Sequence, residues 1–356
     1  MPLPFFNRSA SKRENLVAID LGGRTTKAVL MQRKADAWVL TRYALLDAPV
    51  PQKTFSTDLL AAHLKAIVAA LDTKTRNVCL AIGVTDAVVR QAELPMIPLQ
   101  DMRQILKVNP KAYLQQDLPN HIFDCYLIPS KPLPPADDKT KPAAPPQKFK
   151  ALVAGAKKQL VDDLLAAVKK ADLVAAGIVP GLIGPINAFE LALPELFAKN
   201  IVALVDIGFK NTTICLVQEG ELVLSRTIAI GGDKITGGLA ENMSISYAEA
   251  EGIKLGMAGE VQSTLEALIT PLGRELRASL DFFEHQQDKH ASQVLCSGAS
   301  AASEYIVKIL EAEIGIPCRP WSPISSLRHA LPPQQAAEIE MIAPQLTVAV
   351  GAAIGF

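Results

Sequence analysis

An internal duplication constrains this chain more than any other feature. Leu16 to Asp20 (LVAID) is a short apolar run that enters a turn at Asp20-Leu21-Gly22, and Thr25-Thr26 lead into a second run ending at Met31. Ile201 to Asp206 (IVALVD) enters a second turn at Asp206-Ile207-Gly208, and Thr212-Thr213 lead into another run ending at Gln218. Short apolar runs joined by a glycine-bearing turn read as β-hairpins. One Asp-x-Gly turn is common in ordinary hairpins. Two in the same setting predict two related lobes with a cleft between them.

The residue types at these turns suit a phosphate and its metal. Glycine lets the backbone come close to a ligand. Successive N–H groups in such a turn form a nest for an anion, and threonine hydroxyls add donors. Asp20 and Asp206, one from each lobe, suit Mg²⁺, which keeps much of its water shell and is held through carboxylates. Three further segments fit the same picture. Gly231-Gly232-Asp233-Lys234-Ile235-Thr236 ends a strand and opens a helix. Its N-terminus suits phosphate or ribose, although a tight turn with an N-cap reads the same way. Glu251 and Lys254 lie three apart, hence on one helix face, as a clamp on adenine and ribose or as a surface ion pair. Leu295 to Ser300 is a strand running into a small-residue turn suited to pass beneath a nucleoside.

Length and composition bound the rest. The 356 residues predict two or three compact units, and 49% hydrophobic residues supply ample core. Lys and Arg (36) balance Asp and Glu (36), which disfavours a globally basic nucleic-acid binder. The mean hydropathy of +0.21 is high, yet there is no uninterrupted apolar run of about 18 residues, so no transmembrane helix is expected. Met1 to Asn15 places its short apolar patch before its charges, the reverse of a signal peptide. The five cysteines (79, 125, 215, 296 and 318) form no C-x-x-C pair and read as reduced small hydrophobes of a reducing cytoplasm. His285 and His290, near Glu284 and Asp288, read as an exposed helix end rather than a zinc site.

From Val88 the order strand, helix, strand, loop, strand, helix predicts an inserted α+β module reaching Asp172. Pro129 to Lys148 holds seven prolines and is expected to be an exposed, mobile loop. The chain is expected to divide into residues 1–87 and 173–200 of a first lobe, 88–172 as the insert, 201–335 as a second lobe, and 336–356 as a return to the first.

Asp20-Leu21-Gly22, Asp206-Ile207-Gly208, Gly231-Gly232-x-x-Ile235-Thr236, Ala250-Glu251-Gly252-Ile253-Lys254 and Ser297-Gly298-Ala299, in that order, resemble the actin, Hsp70 and sugar-kinase superfamily. The inserted module, Arg274 to Phe283 and the ending Val350 to Gly355 are similar to the FtsA and PilM branch of that superfamily. The resemblance implies an α/β actin-like ATPase fold with two lobes around a nucleotide cleft. It implies ATP and Mg²⁺ held by Asp20, Gly22, Gly23, Thr25, Thr26 and Lys27 of the first turn, and by Asp206, Gly208, Asn211 and Thr212 of the second. Gly231, Gly232, Glu251, Lys254, Ser297, Gly298 and Ala299 complete that set, with Asp20 and Asp206 at the metal. It implies a cytoplasmic protein of type IV pilus or related type II secretion assembly. That protein is recruited to the inner membrane through the cytoplasmic N-terminal peptide of a PilN-type protein, and it contacts other platform proteins there. An FtsA-like division protein and a small-molecule kinase are the other readings.

The first turn departs from the pattern by inserting Gly23-Arg24, with Arg24 aimed at phosphate or at solvent. Lys210 is equally unusual in the second. Ser297 stands where the family has glycine, which leaves less room beneath a base. Pro180 to Leu193 offers only Asn187 and Glu190 as groups to polarise water, so any hydrolysis is expected to be slow.

Overall fold

The computed structural model describes residues 14–34, 37–49, 56–128, 148–256 and 261–355. Strands β1 (Asn15–Asp20) and β2 (Thr25–Lys34) form the first hairpin, antiparallel, with Asp20 opposite Lys27. Leu16 to Ile19 are wholly buried, which is why β1 is continuously apolar rather than alternating. β3 (Ala37–Asp47) pairs with β2. Helix α1 (Thr57–Ala70) begins at Ser56, whose Oγ accepts the Leu59 N–H at 3.2 Å, an N-cap worth about 1 kcal/mol. It leads to β4 (Asn77–Ile82), parallel to β1.

The insert follows as β5 (Ala87–Pro95), α2 (Leu99–Val108), α3 (Pro110–Leu114), β6 (His121–Leu127) and β7 (Lys148–Lys157). Its three strands make an antiparallel sheet in the order β5-β7-β6. Pro110 stops α2 and then opens α3 from its first turn, where its missing N–H costs nothing. The expected mobile loop falls almost wholly on 129–147, outside the described residues. Helix α4 (Lys158–Lys170) turns Val161, Leu164, Ala167 and Val168 onto the same core as Leu60, Leu64 and Ile67 of α1.

β8 (Val174–Pro180), parallel to β4, returns the chain to the first sheet, and α5 (Ile183–Ala192) and α6 (Pro194–Lys199) follow. The second lobe repeats the hairpin as β9 (Ile201–Ile207) and β10 (Thr212–Gln218), with Asp206 opposite Thr213. β11 (Glu221–Ile228), α7 (Gly232–Met243), α8 (Tyr247–Gly256), α9 (Gln262–Gln287) and β12 (Gln293–Ser297) come next. A 3₁₀ turn at Ala299–Ala302, α10 (Glu304–Ile314) and β13 (Cys318–Pro320) complete a five-stranded sheet, β11-β10-β9-β12-β13.

β14 (Arg328–His329) then pairs with β3, returning the chain to the first sheet. Helix α11 (Pro333–Ile342), a 3₁₀ turn and α12 (Thr347–Ile354) end the chain. A side chain at Gly351 of α12 would collide with the backbone of Gly184 in α5, so the two helices touch main chain to main chain. Pro333–Ile354 is long and apolar enough to cross a membrane by composition, but 61% of its most apolar window is buried inside the protein. The lobes and the insert share one apolar joint, in which Phe189 meets the rings of Phe197 and Trp321 at 5.8 and 6.1 Å. All five cysteines are free, and four are buried. Burial pushes the thiols of Cys125 and Cys215 up to about 11 and about 12, which keeps them unreactive.

Candidate functional site

The hairpins bring Asp20 and Asp206 together, and one lysine serves both. Lys27 faces Asp20 across the strand pair and donates to its Oδ2 at 3.2 Å. Burial alone would lower the Lys27 pKa, but the attraction of Asp20 and of Asp206 outweighs it and the net shift is upward. Asp206 accepts a hydrogen bond from Ser297 Oγ at 2.8 Å, its register partner on β12. Burial still dominates there and pushes the carboxyl pKa up, aided by Asp20 and opposed by Ser297 and Lys27. Ser297, expected to restrict room beneath a base, also orients the second aspartate.

Of the threonine pairs, Thr26, Thr212 and Thr213 are buried and Thr25 is not. Thr26 is buried, with its hydroxyl 2.9 Å from Nε2 of His63 on α1, and burial lowers the His63 pKa. Thr212 is buried and donates to the Ile230 carbonyl at 2.6 Å. These two hydroxyls are bound inside their lobes. Thr25 and Asn211 remain partly exposed at the turns. The Gly22 N–H donates to Asp20 O at 2.9 Å and the Gly208 N–H to Asn211 O at 3.0 Å, closing each turn on itself. The N–H groups of Gly23, Arg24, Phe209 and Lys210 meet no backbone acceptor among the described residues.

The start of α7 clasps the second turn. Gly232 N–H donates to Gly208 O and Asp233 N–H to Phe209 O, both at 2.9 Å, while Lys234 and Ile235 N–H turn back to Gly231 O. All four first-turn donors are therefore used within the protein, as a tight turn uses them, and not left open for an anion. Gly298 has φ +92°, and a side chain there would strike the Ile207 backbone. It sets the main chain of the third segment directly against β9, and Ala299 opens the 3₁₀ turn behind it.

Glu251 and Lys254 do not form a surface pair. Lys254 is 2% exposed, and its ammonium reaches Glu251 Oε2 at 2.8 Å and Thr236 Oγ1 at 2.9 Å. Burial lowers the Lys254 pKa against the pull of Glu251. Burial works to raise Glu251, but Lys254 and Thr236 hold it below the usual range.

Arg24 answers to neither phosphate nor solvent alone. It crosses to the second lobe, 3.6 Å from Glu251 Oε2, with its guanidinium 5.8 Å from the Phe209 ring and 5.2 Å from the Tyr247 ring. Lys210 bonds Asp233 Oδ2 at 2.5 Å, and Tyr247 donates to Asp233 Oδ1 at 2.9 Å. These contacts hold Asp233 below the ordinary carboxylate range, the Lys210 bond first among them, and burial with Asp233 pushes Tyr247 up to about 12. Phe209, Tyr247 and His63 carry no local sequence signal, because each is defined by a partner distant in the chain. Asn187 is buried and donates to Gly351 O at 3.1 Å, which ties it to α12.

Two lobes, each a sheet carrying an Asp-x-Gly hairpin at the cleft, with a three-stranded insert in the first, define an actin-like fold. The ethanolamine utilization protein EutJ from Carboxydothermus hydrogenoformans has this fold, with a TM-score of 0.57, 14% identity, and 98% of this chain and 92% of that one covered. So does MreB 5 of Spiroplasma citri, solved bound to AMPPNP, at TM-score 0.51 and 11% identity, covering 97% and 96%. Over residues 18–355 the chain matches the family model of the type IV pilus assembly protein PilM, and it belongs to that family. A solved PilM-PilN type IV pilus biogenesis complex superimposes with TM-score 0.79 at 20% identity, covering 97% of this chain and 99% of that one. The cell division protein FtsA of Bacillus subtilis (strain 168) is 36% identical over 104 residues, 29% of this chain and 22% of FtsA.

Proposed function

We propose that this PilM-family chain binds ATP with Mg²⁺ in the cleft between the two Asp-x-Gly turns. The observation that carries the reading is the placement of Lys27, from one lobe, within the field of aspartates from both. A half-buried cation shared by two carboxylates and flanked by open turn N–H groups suits a polyphosphate and its metal. The hard oxygen donors of Asp20 and Asp206 fit Mg²⁺ and would hold it through its waters; the ion would supply charge neutralisation at the phosphates. Lys27 would take a phosphate oxygen, Ser297 orients Asp206, and Glu251 with Lys254 presents a rigid polar wall for ribose or base. The nucleotide-bound MreB 5 structure supports the ligand class.

The partner in this reading is the N-terminal peptide of a PilN-type inner-membrane protein, as the PilM-PilN complex suggests. It would hold the chain on the cytoplasmic face of that membrane beside other platform proteins, using a groove that includes the insert, residues 88–172. Closure of the lobes on ATP would change affinity for that peptide by differential binding. Hydrolysis would be slow, on the order of minutes per turnover or slower against typical enzyme rates of about 1–1000 per second. Asn187 is committed to α12, and the charge of Glu190 acts on Tyr126 of the insert. Co-purification of the full chain with the PilN-type peptide, with and without ATP, tests the partner. Capture that ATP alters is expected, and no capture in either state overturns it.

A further inference from the structure

Two sheets end side by side away from the nucleotide cleft. Among the described residues, β5 is an edge of the insert's sheet, paired only with β7, and β11 is an edge of the second lobe's sheet, paired only with β10. The edges touch where the Gln91 side-chain amide donates to the Leu222 carbonyl. Alongside that contact lies a groove of about 570 Å³. It is lined by Val89, Arg90, Leu222, Leu224 and Arg226, with Phe282 of α9 as a wall. Phe282 is 54% exposed.

Edge strands carry a row of main-chain donors and acceptors without strand partners. An extended segment laid on such an edge gains main-chain hydrogen bonds, and the neighbouring side chains select its sequence. The side chains here select for acid. No carboxylate lines the groove, and two arginines do. Arg90 meets no carboxylate among the described residues, and its Nη1 turns back to the Val89 carbonyl at 2.9 Å. Arg226 holds Glu275 at 2.5 Å and Ser279 at 3.1 Å, so it is partly neutralised but stays half exposed. Phe282 and Leu224 line the same groove and offer apolar contact.

We infer that the β5–β11 groove docks an extended partner peptide by strand addition, one whose side chains alternate between acidic and apolar. The groove includes β5 of the insert, which the PilN-type reading also uses, but it does not require the PilN-type peptide as its occupant: capture of that peptide by a chain that binds none of the probes would overturn this inference alone.

Three synthetic ten-residue probes test it on the full chain by fluorescence anisotropy: alternating Val and Glu, alternating Val and Lys, and the Val-Glu peptide with alternate backbone nitrogens methylated. The Val-Glu peptide is expected to bind at least about tenfold more tightly than the Val-Lys peptide, and methylation to abolish binding. Arg90→Glu with Arg226→Glu should reverse the preference, and Phe282→Ser should weaken both peptides. Hydrogen exchange should slow along β5 and β11 on binding. Equal affinity for Glu and Lys peptides, indifference to methylation, or no binding by any probe overturns the inference. If the double variant does not fold, Phe282→Ser and the methylated peptide decide the matter on their own. ATP binding by Phe282→Ser, unchanged from the wild type, reports that the fold is intact.

Discussion

Arg24 and Glu251 face each other from opposite lobes, Nη1 to Oε2 at 3.6 Å. The same guanidinium lies over Phe209 and Tyr247, so the first turn is tied to three positions of the second lobe without any ligand. Arg24 is 42% exposed, and solvent limits what the tie contributes. Arg24→Ala should cost about 1 kcal/mol or less. That corresponds to a fall in Tm of about 2–4 °C or less, and a differential scanning trace checks it. An unchanged Tm would mean that Arg24 adds nothing measurable to the other contacts between the lobes.

Lys27 has more at stake because its carboxylate partners cannot move away with it. Lys27→Met leaves Asp20 and Asp206 close together with no cation between them. Removing one member of a buried charge cluster costs about 3–5 kcal/mol; with Asp20 and Lys27 partly exposed, at 14% and 19%, the lower end is expected. Chemical denaturation measures it. A change under about 1 kcal/mol would show that Lys27 does not couple the two aspartates.

Asp206 carries a pH signature. Its native pKa is raised, by burial first. The stability it contributes is therefore present below the ordinary carboxylate pKa of about 4 and is lost as pH rises through the raised native value. Asp206→Asn cannot ionise and escapes that loss. The Tm of the variant minus that of the wild type should increase from pH 4 to pH 7, Lys27 being charged throughout. A difference that stays flat or declines over that range contradicts the assignment.

Gly298 combines a φ of +92° with the Ile207 backbone against its α-carbon. Gly298→Ala should destabilise by about 2 kcal/mol or more, from strain and collision together. Equilibrium unfolding in urea measures it, and a neutral substitution would mean that the turn and β9 separate easily.

Much of this architecture is written locally. The hairpins at Asp20 and Asp206 are legible because both strands of each pair lie within a few residues of one glycine turn. The insert is legible from strand and helix runs broken at Pro98 and Pro110. β14 is not, because Arg328 and His329 make a strand only through pairing with Val39 and Leu40. The turn residues were legible as types but not as roles. Thr26 and Thr212 sit on the inward side of their strands, and only the register on β12 gives Ser297 its bond to Asp206. Arg24 is the extreme case: nothing near Gly22-Gly23 predicts Phe209, Tyr247 or Glu251 as neighbours. Helix α4 is the last element of the insert as the sequence divides it, but its apolar face packs against α1, a choice that depends on which surface the fold leaves open.

Nucleotide occupancy of the cleft is the central claim, and calorimetric titration of Mg²⁺-ATP into the full chain tests it most directly. Saturable one-site binding is expected. Asp20→Ala and Asp206→Ala should each weaken it by roughly tenfold or more, a loss of about 1.4 kcal/mol, while both variants still melt cooperatively. No heat of binding by the wild type at millimolar ATP, or binding that neither substitution affects, would contradict the account.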